Sequence, residues 1–275
     1  MQPSKRRSAA PFYIAAMPFT LAHPAVVLPL PRLLRRTVLL SALVVGSVVP
    51  DLWYVLPGFG RGDGHSLKGL LHFCLPVGLV LWLYWRLLLA RAVTWLFPPR
   101  VREHLDPFVR SPWRWSDILT APLSIVIGAL SHIGWDFLTH DAHGEFLQAP
   151  ETVRVLGREH TFQTLFQSGS SVLGCVFIVL WLLVLLRLDL PKLSWHERLW
   201  PGSLKALLSA ILVSAPVAAA FQQKFNASLP APRHEILNGV GRLLLATWFW
   251  EFLGWGLLYA LFNAGSKLMK QDQMA

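Results

Sequence analysis

The sequence predicts an all-α protein, a polytopic bundle of about six helices that cross a lipid bilayer. Composition is the first reason: 54% of the residues are apolar and only 15% are charged, against about 25% charged in soluble domains. The second is run length. About 20 apolar residues suffice to cross hydrocarbon, and several windows reach that mark. The third is where the charges fall, in short stretches between the apolar runs.

Six apolar segments follow one another, at about 37–57, 70–97, 118–139, 171–187, 203–221 and 240–262. Pro50-Asp51 interrupts the first. Arg86 and Arg91 stand in the second, where long side chains can snorkel to an interface. The third ends in a polar run. The fourth, around VLGCVFIVLWLLVLL, holds no charge. Glu251 stands in the sixth among Trp248, Trp250 and Trp255.

No polar linker or repeat divides the chain. The reading is therefore one membrane domain over 17–265, a basic extension over 1–16 and a tail over 266–275. Residues 1–16 carry too short an apolar stretch for a cleaved signal peptide. Cys74 and Cys175 lie inside apolar runs and read as small buried side chains, with no disulfide framework.

The net charge of +10 would suggest nucleic acid in a soluble protein. Here no aromatic–basic nucleic-acid motif accompanies it, so no nucleic-acid partner is expected. The basic residues read as topology signals and contacts to lipid head groups. If all six segments cross from a cytoplasmic N-terminus, 16 Lys and Arg fall on the inner side and 6 on the outer. The positive-inside rule favours that arrangement, with both termini in the cytoplasm.

Polar residues are expensive inside a membrane and usually face a partner or a cavity. Asp51 follows Pro50 at the outer end of the first segment, and His65 lies in the next loop, G-D-G-H-S. His72 opens the second segment. The third ends S-H-I-G-W-D-F-L-T-H-D, residues 131–141. His132, Asp136 and His140 are spaced four apart and so share one helix face. The topology puts Asp51, His65, His72 and this stripe on the same outer side. Imidazole with carboxylate is the ligand set of catalytic zinc, which keeps a position for water; Mn²⁺ or Fe²⁺ also suit N/O ligands. The same side chains could instead hydrogen-bond one another and a backbone carbonyl with no ion. Asp63 and His143 read as solvated loop residues, and His104, His160, His196 and His234 as bystanders. Glu251 could pair with Arg242 or line a cavity.

Several stretches resemble a known bacterial membrane family, domain-of-unknown-function family 4184. They are M-P-F-T-L-A-H-P-A (17–25), V-G-S-V-V-P-D (45–51), His65-Ser66, L-L-H-F-C-L-P-V-G (70–78), the 131–141 run and L-F-Q-S-G-S-S-V-L-G (165–174). A looser similarity reaches the YdjM-type inner-membrane metal-dependent hydrolases, through an early His23, Pro50-Asp51, His65-Ser66 and Ser131-His132-Asp136-Thr139. The order of ligand types is also similar to that of zinc-dependent phospholipase C, an all-helical enzyme. The resemblance implies a divalent transition metal, zinc first, held by His23, Asp51, His65, His132 and Asp136, with His140 a further candidate. His23 precedes the first segment and would start in the cytoplasm. To join the others, residues 18–50 must re-enter rather than cross, and the prolines at 18, 24, 29 and 31 suit an irregular, re-entrant path.

The expected function is a metal-dependent hydrolase of the cytoplasmic membrane. Its substrate would be a phosphoester or lipid-linked molecule reaching the outer face, with Asp141 or His140 as general base or proton donor. The alternative is a non-catalytic membrane protein, a transporter or a partner- or metal-binding scaffold, since carboxylates and histidines also mark ion pathways.

Overall fold

The computed structural model describes residues 20–34, 37–56, 58–97, 99–109, 112–139, 152–155, 158–186 and 246–264. These are mostly helical. Three helices are long and apolar enough to cross a membrane: Leu67–Leu96, Asp117–Thr139 and Leu165–Val184. The segment expected at 203–221 lies outside the described residues.

The chain opens as a hairpin of two helical limbs. The first limb is a 3-10 turn, Thr20–Ala22, then α1 (Pro24–Val27) and α2 (Leu30–Leu33). Prolines cut it into pieces: Pro24 starts α1, and Pro29 caps α2, because a proline offers no N–H to the preceding turn. The second limb is α3 (Leu40–Gly46) followed by a 3-10 stretch, Val49–Tyr54. The expected first span, 37–57, is thus not one continuous helix. Pro50 stops the α-helical ladder, and the chain tightens into the 3-10 form. The limbs meet at their open ends, where Thr20 Oγ1 donates to Asp51 Oδ2 over 2.6 Å. Near the tip, Val27 and Val38 pack with Leu43, Leu30 and Ile127.

Short α4 (Arg61–Gly64) leads into α5 (Leu67–Leu96), which contains two wide π turns at Leu70–Cys74 and Trp85–Leu89. After α6 (Pro99–Val109) comes α7 (Asp117–Thr139). A two-stranded antiparallel ribbon, β1 (Thr152–Val155) and β2 (Arg158–Thr161), precedes α8 (Phe162–Leu186). The last described helix, α9, covers 246–264.

The contacts define how these helices run. α5 and α7 are antiparallel: Phe73 shares a cluster with Ala129, Trp82 packs with Ala121, and Arg86 pairs with Asp117 at 3.2 Å. α3 runs parallel to α7, with the Leu39 N–H on Ser124 Oγ at one end and Ser47 under His132 at the other. A Cβ at Gly128 would run into the Leu43 carbonyl, so glycine is what lets the two backbones approach so closely. α9 lies parallel to α5, where the Tyr84 hydroxyl meets the Leu253 carbonyl and the Trp255 indole N–H donates to the Ala92 carbonyl. α8 descends beside the first limb, from Phe166 against Trp135 to Val184 near Arg32.

The bundle therefore has two ends. One gathers Thr20, Asp51, α4, the start of α5 and the end of α7. The other gathers Arg32, α6 and the start of α7. Thr20 stands at the first end and residue 264 at the second.

The surface is apolar and the interior partly polar. Leu119, Leu173 and Val184 are 77%, 69% and 74% exposed, whereas His132, Ser47 and Ser124 are fully buried. Water penalises that distribution, while a helix facing lipid tolerates it.

Candidate metal centre

The site forms where the hairpin's open end, α4 and α7 meet. Asp51 is set by the 3-10 turn after Pro50, and its Oδ2 is held by Thr20, which aims Oδ1 inward. His65 follows α4, whose Gly64 packs directly on Pro50; a Cβ there would collide with the Pro50 carbonyl. Cys74 Sγ also donates to the Gly64 carbonyl, at 3.3 Å. These contacts bring His65 beside Asp51. His132 and Asp136 come from one face of α7, four residues apart as helical spacing requires.

One ligand atom from each of Asp51, His65, His132 and Asp136 lies within 4.8 Å of every other. His65 Nε2 is 3.1 Å from Asp136 Oδ2 and 3.5 Å from Asp51 Oδ1. His132 Nε2 is 3.5 Å from each of the same two oxygens. Bonds of about 2.0–2.1 Å at tetrahedral angles put neighbouring N/O ligands roughly 3.4 Å apart. These four of the six distances lie near that spacing, and the whole group falls within 4.8 Å.

The protonation pattern fits too. His132 Nδ1 lies 2.7 Å from the Ser47 carbonyl oxygen. A carbonyl only accepts, so Nδ1 carries the proton and donates it, and Nε2 faces the carboxylates. Metal-ligating histidines are oriented in this way by a partner on the other ring nitrogen. Nε2 itself makes no hydrogen bond among the described residues, because 3.5 Å is too long for one. Two carboxylates buried to within about 5% exposure also need positive charge nearby, since an uncompensated buried carboxylate is very costly. The buried Asp/His cluster could therefore bind a metal ion.

His23, from the first limb, lies beside the group and outside the four clustered residues. Its ring stacks on His132 with centroids 3.9 Å apart, and its Nε2 is 3.7 Å from Asp136 Oδ1. The hairpin brings it to this end, as the re-entrant path requires. His72 is exposed on the π turn and stays outside the cluster. Asp63 caps the Gly60 N–H at the exposed start of α4, and His104 is exposed on α6. Glu251 belongs to α9 and is not among the clustered ligands. His140, Asp141, His143, His196, His234 and Arg242 lie outside the described residues.

Two supporting residues were not singled out from the sequence, Thr20 and Ser47. Both sit inside stretches that carried the family resemblance, M-P-F-T-L-A-H-P-A and V-G-S-V-V-P-D. Small polar residues next to ligand positions were the available signal.

Among the described residues, fold and site define a helical protein with three membrane-length helices and a buried His/Asp cluster that could hold a metal ion. The chain belongs to the family described as Domain of unknown function (DUF4184), whose match covers residues 17–259. Comparison with curated proteins and with solved structures gave no match.

Proposed function

We propose that the protein is a metal-dependent hydrolase of the cytoplasmic membrane, acting on a phosphoester or lipid-linked substrate at the outer face. The observation that carries this reading is the spacing around His132 Nε2. Two carboxylate oxygens stand 3.5 Å away from it, a spacing that co-ligands of one ion can take up. Zinc is the first candidate, because imidazole and carboxylate ligands suit its catalytic sites.

A bound zinc ion would bring the pKa of a ligated water to about 7 and supply a nucleophile at neutral pH. The chain's own groups do the rest. Ser47 and Thr20 fix His132 and Asp51, and His65 is the least buried of the four ligands. In hydrolysis the water oxygen bonds to phosphorus, the ester P–O bond breaks, and the leaving alcohol takes up a proton. His140 and Asp141, one and two residues beyond the end of α7, are the proposed proton carriers.

The charge pattern supports an outward-facing site. Arg32, Arg102 and Arg114 lie at the opposite end, and Lys267 and Lys270 follow α9 there in sequence. The positive-inside rule favours that end as the cytoplasmic one. Purified protein supplied with Zn²⁺ should release phosphate or alcohol from a panel of soluble and lipid phosphoesters. Asp136→Asn should lower that rate by roughly 100-fold or more. Equal rates for the two proteins would refute the enzyme reading.

A further inference from the structure

The outward end carries a second feature next to the metal centre. A groove of about 520 Å³ lies between the first limb and α8, lined by Ala22, His23, Val26, Trp135, Gly169 and Phe177 among others. Its size falls within the usual range for ligand sites. His23 belongs to both places: it is among the residues lining the groove, and its ring stacks on His132. The groove thus lies against the metal centre.

The lining is apolar although α8 contributes two serines. Ser170 and Ser171 turn their hydroxyls onto the Gln167 carbonyl, at 3.0 and 2.9 Å. Their donor protons are spent inside the helix, so the described lining offers little polar surface beside His23. The direction also matters. The lining residues of α8 run from Leu165 to Phe177, which at ~1.5 Å per residue is about 18 Å. One leaflet takes up half of the ~30 Å hydrocarbon core. Among the described residues, the groove therefore begins beside the metal centre and runs for about the depth of one leaflet.

The geometry points to one occupant: a single acyl chain of a phosphate-headed membrane lipid, seated along α8 with its head at the metal centre. This assignment rests on the hydrolase reading for the fate of the head group, but the seat itself does not need catalysis. The lipid would enter sideways from its own leaflet, so its chain need never leave an apolar surrounding.

Gly169 provides the test, because a Cβ added there meets nothing within 4 Å. Gly169→Phe should fill the groove without moving backbone, and Leu173→Trp is an independent plug from an exposed groove position. The full chain, purified in detergent with phosphatidic acid added, is measured by native mass spectrometry for retained lipid. Metal content and hydrolysis of glycerol phosphate are measured in parallel. Each plug should lower retained phosphatidic acid roughly tenfold, the equivalent of about two excluded methylene groups, with metal content unchanged. Retention equal to wild type in both plugs, as when protein rather than lipid fills the groove, overturns the proposal. A polyprenyl phosphate retained in preference to phosphatidic acid overturns it as well. If wild type hydrolyses neither substrate yet the plugs still lose lipid, the seat stands and the hydrolase reading falls.

Discussion

His132 donates its Nδ1 proton to the Ser47 carbonyl, 2.7 Å away, at the point where α3 ends beneath α7. That bond joins the N-terminal hairpin to the central helix and fixes which ring nitrogen faces Asp51 and Asp136. It is possible because Gly46 and Gly128 let the two backbones touch.

Asp51 depends on a similar support. Thr20→Val keeps the side-chain shape and removes the 2.6 Å bond to Asp51 Oδ2. Losing such a partner typically weakens metal affinity about 10–100-fold. Competition with a chelator should show that loss, with the helical content unchanged.

The placement of His65 is steric. In Gly64→Ala the new methyl group meets the Pro50 carbonyl, and overpacking against backbone costs roughly 1–3 kcal/mol. The thermal midpoint should fall. Gly62→Ala, where a Cβ meets nothing within 4 Å, should stay within about 0.5 kcal/mol of wild type.

Stability and site should also separate at the far end. Arg86 bridges Asp117 at 3.2 Å, sits 4.4 Å from the Trp113 ring and donates to the Pro112 carbonyl. Asp117→Ala leaves that guanidinium half-satisfied in a largely buried place, a loss of about 3–5 kcal/mol. Denaturation should show the drop, while bound metal per folded chain should not change.

The hairpin predicts a labelling pattern. With Cys74 and Cys175 replaced by serine, Arg61→Cys should react with a membrane-impermeant maleimide added outside intact cells. Arg32→Cys should react only after the membrane is opened. Both positions are exposed, at opposite ends of the bundle. Reaction of both from outside would contradict the hairpin's orientation.

Much of the long-helix architecture was legible because apolar run length is a strong signal. Leu67–Leu96, Asp117–Thr139 and Leu165–Val184 all coincide with expected spans. The four-residue spacing of His132 and Asp136 likewise placed both on one helix face. Residues 20–54 were harder. The apolar run there reads as a span by composition, yet Pro24, Pro29 and Pro50 break it into short turns whose pairing depends on tertiary contacts such as Thr20 with Asp51. No periodicity encodes such a contact. The groove beside α8 was equally invisible, since it depends on how far Ala22 stands from Gly169 and Phe177 rather than on residue type alone.

The most direct measurement is elemental analysis of the purified protein beside His132→Ala and Asp136→Ala. The account expects close to one transition-metal ion per wild-type chain and very little in either variant. A wild-type chain that binds no metal when offered zinc, manganese or iron, or variants that retain as much as wild type, would contradict it.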